Sequence, residues 1–259
     1  MKVLVLAALC SLVRAKCSGD ACALPCQCDA GDSGTDTECV NGVLTAVPCH
    51  INRKANGLYL SNNTIQDIVP GDLDGLDQLQ YLFADHNRLT VLRKGALSGL
   101  TSLGELFMPD NRIALVEQGA LPSSINYLEL NNNTLSAVPP LPAALATLAL
   151  TNNSIGPALP RAAFDAVRGN SSALADIKLG GNRIETVESG AFDGLPGLAT
   201  YYGRLCLERN PLNCCGLEWL RGMDALDSLC PGEATCDQPR ALRGVALKKT
   251  SGTICPHLG

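Results

Sequence analysis

The stretch Leu58-Tyr59-Leu60-Ser61-Asn62-Asn63-Thr64-Ile65 sets a pattern of apolar, any, apolar, two of any type, Asn, any, apolar. It recurs six more times: Leu82 with Ala84 and Asn87, Leu106 with Met108 and Asn111, Leu128 with Leu130 and Asn133, Leu148 with Leu150 and Asn153, Ile177 with Leu179 and Asn182, and Leu205 with Leu207 and Asn210. Successive Asn residues lie 20 to 29 residues apart. Self-similarity at such a period marks units that stack into a solenoid. Each unit reads as a short strand whose alternate residues point inward, followed by a return segment such as Gly190-Ala191-Phe192-Asp193-Gly194-Leu195. No unit can bury its apolar face alone, so the units must lie against one another. Their parallel strands, about 4.8 Å apart, then line one wall.

The Asn of each unit falls where the chain turns while its backbone groups are still buried. A side-chain amide carries donors and an acceptor, so it can satisfy the groups of its own and neighbouring turns. The seven Asn residues are therefore read as structural. The recurrence resembles the leucine-rich repeat family. That resemblance implies an α/β solenoid, a horseshoe with a curved parallel β-sheet on the concave face, an irregular or short helical convex side, and disulfide-bonded caps.

Composition agrees with such a core. Hydrophobic residues make up 46% of the 259-residue chain and aromatics only 4%, so aliphatic side chains must fill it. A chain this apolar is not of the disordered class. Thirteen cysteines point to an oxidising compartment. Met1-Lys2, the apolar run from Val3 to Cys10 and Val13-Arg14-Ala15 read as a secretory signal over 1–15. Its removal takes away two bases, Lys2 and Arg14, and makes the formal charge of −5 more negative. Such a balance argues against nucleic-acid binding, whose affinity comes largely from clustered Lys and Arg. No later stretch has the roughly 20 apolar residues that cross a bilayer, so membrane insertion is not expected.

Cys10 leaves with the signal. Six cysteines then precede the repeats (Cys17, Cys22, Cys26, Cys28, Cys39, Cys49) and six follow the sixth repeat (Cys206, Cys214, Cys215, Cys230, Cys236, Cys255). Solenoid ends expose core and strand edges, which is where caps are needed. The organisation is then a cap over 16–50, about seven repeats over 51–209 and a second cap over 210–259. The N-terminal cysteines and Leu44-Thr45-Ala46-Val47-Pro48 look like the N-terminal cap of extracellular leucine-rich repeat proteins, which implies Cys22 with Cys28 and Cys26 with Cys39. Cys17 and Cys49 are left over, and their pairing is a guess by elimination. Asn210-Pro211-Leu212-Asn213-Cys214, Leu217-Glu218-Trp219-Leu220 and Cys236-Asp237-Gln238-Pro239 are similar to the C-terminal cap, implying Cys214 with Cys236, Cys215 with Cys255 and, left over, Cys206 with Cys230. The adjacent Cys214-Cys215 departs from the family's Cys-x-Cys. Six cysteines allow 15 connectivities, and a free or intermolecular Cys206 thiol is the alternative.

Between the two inward positions of each strand one residue projects from the concave wall: Tyr59, Phe83, Phe107, Glu129, Ala149, Lys178 and Cys206. The outward position two before it reads Gly57, Tyr81, Glu105, Tyr127, Thr147, Asp176 and Arg204. Half of the chain's aromatics, Tyr59, Tyr81, Phe83, Phe107 and Tyr127, thus share one surface, with Asp85, Glu105, Asp110 and Glu129 around them. Contiguous exposed aromatics mark interfaces. The expected ligand of repeats one to four is an extracellular protein or peptide, with the rings as anchor and the acids selecting basic residues. The competing reading is that the aromatics pack on one another across strands and stabilise the sheet.

Four glycosylation sequons occur at Asn62, Asn132, Asn152 and Asn170. The first three precede a repeat Asn and are expected to reach solvent. His50, His86 and His257 stand in no nucleophile or metal motif, and no glycine-rich phosphate loop lies between a strand and a helix. Neither catalytic nor metal-ligating residues nor a cofactor are expected. The sequence thus reads as a secreted, non-enzymatic binding module of the extracellular matrix or cell surface, similar to small leucine-rich proteoglycans, chondroadherin-like proteins and Slit-type repeat domains. Recognition of microbial ligands in innate immunity, or a structural matrix role without a discrete ligand, are the alternatives.

Overall fold

The computed structural model describes residues 27–28, 35–39, 44–48, 51–169 and 174–250. The signal segment, Cys17, Cys22, Cys26, Cys49, Asn170 and Cys255 lie outside that description, as does the side chain of Cys28. Two compact units divide the chain, Met1–Leu130 and Asn131–Gly259.

In the first unit Gln27–Cys28 runs antiparallel to Thr35–Glu38. Thr35–Glu38 then pairs in parallel with Ala55–Tyr59. Tyr81–Phe83, Glu105–Phe107 and Tyr127–Glu129 follow in parallel order. Leu58, Leu82, Leu106 and Leu128 stand side by side in this register, all fully buried. Each strand is short because only its central residue points into the stack before the chain must turn. The return segments add a second layer, with Ile65, Ile68, Leu73, Leu76 and Leu79 buried behind the first full repeat. Burying one such side chain contributes about 1.5–3 kcal/mol, and every repeat supplies several. On that side Val91–Leu92 pairs in parallel with Leu115–Val116.

The second unit repeats the plan. Thr147–Ala149, Asp176–Lys178 and Arg204–Cys206 form parallel strands, with Leu148, Ile177 and Leu205 in register. Ala158–Leu159 pairs with Thr186–Val187 on the return side. The longer returns here hold 3₁₀ turns at Arg161–Val167 and Pro196–Ala199. Phe164, Phe192 and Trp219 pack ring against ring at 5.4 and 6.2 Å. The last segment joins Leu212–Asn213 to Cys236–Gln238 and adds three more 3₁₀ turns, Glu218–Gly222, Arg240–Leu242 and Leu247–Lys249. Disulfides connect Cys206 to Cys230 and Cys214 to Cys236. Cys39 and Cys215 are also disulfide-bonded.

The repeat Asn residues form a ladder in each unit. All seven are buried. The Asn87 amide accepts from the Ile65 N–H at 3.0 Å and donates to the Leu60 carbonyl at 2.8 Å, one repeat back. Asn111 does the same with Leu89 and Ala84, and Asn182 with Ile155 and Leu150. Each amide therefore satisfies backbone groups that the turn leaves unpaired. The residue just before each ladder Asn is in the left-handed region: Asn62, His86, Asp110, Asn132, Asn152, Gly181 and Arg209, with φ between 52° and 65°.

Candidate functional site

Strand alternation leaves Tyr59, Phe83, Phe107 and Glu129 as one row on the open face of the first unit, each opposite the next. Gly57, Tyr81, Glu105 and Tyr127 form the adjoining row. The rings of Tyr59 and Phe83 stack with centroids 4.8 Å apart and planes 4° from parallel, and Phe83 and Phe107 with 4.4 Å and 1°. Tyr127 continues the contact at 5.0 Å, tilted by 35°. The strand spacing of about 4.8 Å sets this stack, since in-register side chains on parallel strands repeat at that distance. Both faces of Phe83 are covered by its neighbours, so it offers solvent its edge.

Two acids on this face come from the strand Thr35–Glu38, which lies within the segment expected as the N-terminal cap. Asp36 stands opposite Gly57, and Glu38 opposite Tyr59. Asp36 accepts a hydrogen bond from the Tyr59 hydroxyl at 3.5 Å. Burial, then the Asp36 charge, pushes the Tyr59 phenol above its usual pKa. Gly57 makes that approach possible, because a Cβ there would come within 2.7 Å of Asp36 Oδ1 and 3.0 Å of the Tyr59 ring. The alternating Thr-Asp-Thr-Glu at 35–38 was the signal available for this strand.

The other carboxylates have different surroundings. Glu129 accepts from the Tyr127 hydroxyl at 3.4 Å. Asp85 accepts from Ser61 Oγ and lies 3.2 Å from His86 Nδ1. Asp110 is not on the sheet face but on the left-handed turn after it, 3.7 Å from the same imidazole nitrogen. The carboxylate of Glu105, in register between Tyr81 and Tyr127, makes no hydrogen bond or ion pair among the described residues, and Tyr81 is 37% exposed. The rows from strand 35–38 to strand 127–129 thus bring together five acids, Asp36, Glu38, Asp85, Glu105 and Glu129, with no Lys or Arg among their described positions.

The corresponding positions of the second unit differ. Lys178 and Arg204 lie 3.3 and 3.6 Å from the Asp176 carboxylate, so their charges are already paired. Ala149 and Cys206, expected to project into solvent, are buried. At Cys206 the reason is the bond to Cys230, which brings the following segment over the strand. Cys206, Glu208 and Cys230 are the one grouping of metal-type ligands among the described residues, and its two sulfurs are bonded to each other.

Asn62, Asn132 and Asn152 are exposed at the strand-end turns. Asn152 Nδ2 donates to Asn132 Oδ1 at 2.8 Å. Among the described residues no helix is long and apolar enough to cross a membrane.

Residues 53–89 match the family model described as leucine rich repeat. No curated protein matches the chain by sequence. Among solved structures the chain is similar to human 5T4 (Wnt-activated inhibitory factor 1, trophoblast glycoprotein), with a TM-score of 0.58 and 22% identity. That match covers 90% of this chain and 98% of the other. At this identity the likeness concerns the fold.

Proposed function

Starting from a leucine-rich repeat protein with disulfide-bonded C-terminal turns, we propose that it is a secreted, non-enzymatic module that holds a protein or peptide ligand on the open face of its first unit. The observation that carries this reading is the row Tyr59, Phe83, Phe107 and Tyr127, partly open to solvent and bordered by carboxylates. Apolar surface of this kind serves recognition, and acids beside it select a basic partner. Packing of the rings across strands is compatible with a binding role for the same surface. Stacking holds the rings in place before a ligand arrives, which lowers the ordering cost of binding.

Disulfides and the sequence's signal-like start support an extracellular setting. The test is capture from extracellular fluid with the full chain and with a Phe83→Ala/Phe107→Ala variant. The native chain is expected to retain specific proteins that the variant loses, while both are secreted at the same level. Equal capture by the two would overturn the reading.

A further inference from the structure

The rows around Glu105 narrow the ligand further, on the premise that the open face is the binding surface. Three observations bear on it. Phe83 has both faces covered by parallel neighbours, and ring edges carry the positive end of the aromatic quadrupole. A cation therefore gains nothing by sitting on the middle of the stack. Its charge has to be met by a carboxylate in an adjoining row, with an apolar stem lying across the ring edges.

Glu105 is the carboxylate placed to do this. The residue is half-buried and in register between Tyr81 and Tyr127, and its carboxylate has no partner among the described residues. Asp36, Asp85 and Glu129, by contrast, already accept hydrogen bonds from Tyr59, Ser61 and Tyr127, and Glu38 stands opposite Tyr59, a ring whose face is covered by Phe83. Finally, Tyr81 lies outside the ring stack, with glycine opposite it on one side and Glu105 on the other. The Tyr127 ring belongs to the stack, 5.0 Å from Phe107 with its hydroxyl on Glu129. Tyr81 is therefore the ring beside Glu105 that the stack leaves uncovered.

We propose that this position is an arginine subsite: a ligand guanidinium forms a two-pronged pair with the Glu105 carboxylate and lies flat beside the Tyr81 ring. A guanidinium is planar, presents a fork of donors that matches a carboxylate and stacks on aromatic faces. A lysine ammonium is a compact, strongly hydrated point charge and uses neither the shape nor the ring. The charge complementarity of the face, five acids with no Lys or Arg among their described positions, sets the sign of the ligand; the Tyr81 ring beside Glu105 selects between the two cations.

The probe is a display library of random linear peptides panned against the full chain. Selected peptides are expected to carry Arg at one common position, enriched at least tenfold over Lys. Methylguanidinium should displace them at an ionic strength where methylammonium does not. Panning against Glu105→Gln, an isosteric change at an accessible side chain, should remove the Arg enrichment and keep the apolar preference. Equal enrichment of Lys and Arg, or Arg enrichment that survives Glu105→Gln, overturns the arginine subsite while leaving the face as a binding surface. If no selected peptide loses binding to Phe83→Ala, the reading of the face itself fails, and the subsite with it.

Discussion

The carboxylate of Glu208 occupies the space that a side chain at residue 180 would need: a Cβ on Gly180 would collide with Glu208 Oε1. Glu208 is only 4% exposed, and its Oε2 has no hydrogen-bond partner. Burial holds its carboxyl above the usual pKa, reinforced by the charge of Asp227 and opposed by its own backbone amide and Arg209. Asp227 is raised as well, chiefly by burial. A carboxyl with a raised folded-state pKa favours the fold when protonated. Its contribution is complete below the unfolded carboxyl range, about pH 4, and is lost as pH rises through the folded value. Thermal unfolding followed from pH 7 to pH 5 should thus show a rising Tm. Glu208→Gln removes the buried charge, and with it the penalty that burial puts on the ionised form, so it should raise stability at pH 7 by on the order of 1 kcal/mol and flatten the profile. A Tm that falls between pH 7 and pH 5 in the native chain would count against this account.

A second expectation concerns the Asn ladder. Asn182 accepts from Ile155 N–H at 3.0 Å and donates to the carbonyls of Leu150 and Leu179, each at 2.9 Å. Asn182→Ala strands the buried Ile155 N–H, while the Leu150 and Leu179 carbonyls each lose one of two amide donors and keep Asn153 and Asn210 respectively. The cost should be about 1–3 kcal/mol, the scale of one buried group left unsatisfied. Asn182→Asp keeps the acceptor for Ile155 but turns a buried carboxylate toward the two carbonyls, so it should not rescue. Denaturant unfolding measures both, and a loss under about 0.5 kcal/mol for Ala would remove the structural role assigned to the ladder.

The left-handed turn before each ladder Asn leads to a third. Asn132 and Asn152 adopt φ of 54° and 55°, and Arg209 adopts 58°. A residue with a Cβ pays about 1–2 kcal/mol in that region, and Asn and Gly pay least. Arg209→Gly should therefore stabilise the fold by up to about 1 kcal/mol, and Asn152→Val should destabilise it by about 1–2 kcal/mol. The same strain complicates tests of glycosylation. At Asn152 a Gly substitution should remove a sequon with less damage than Gln, which glycopeptide mass spectrometry and thermal unfolding can compare directly.

The inward Leu and Ile residues and the ladder Asn were legible in the sequence because their period is a direct consequence of stacking. The left-handed column was legible in principle. Its members read Asn, His, Asp, Asn, Asn, Gly and Arg, mostly the residues that tolerate positive φ. Other features depended on segments distant in the chain. Nothing local to Cys206 says that Cys230 will cover it, and nothing local to Glu208 says that Gly180 leaves it a recess. Alternation alone placed Asp85 on the face but could not separate it from Asp110, one turn position further on. Which rings present faces and which present edges followed from the register between strands, which is a tertiary property.

The ring stack itself gives the last prediction. Phe83 is held between Tyr59 and Phe107 in near-parallel contact, so it should couple energetically to both. Aromatic pairs contribute about 0.5–1.5 kcal/mol beyond the area they bury. A double-mutant cycle on Phe83 and Phe107, using Leu at each, should return a coupling of about 1 kcal/mol by denaturant unfolding. Leu keeps the apolar bulk and removes the flat contact. If binding depends on apolar area alone, ligand capture by Phe83→Leu should match that of the native chain although the stack is broken. If preorganised rings matter, capture should weaken in step with the measured coupling. A coupling indistinguishable from zero would mean that the parallel rings are a consequence of register with no energetic role, and that the face owes its order to the strands beneath it.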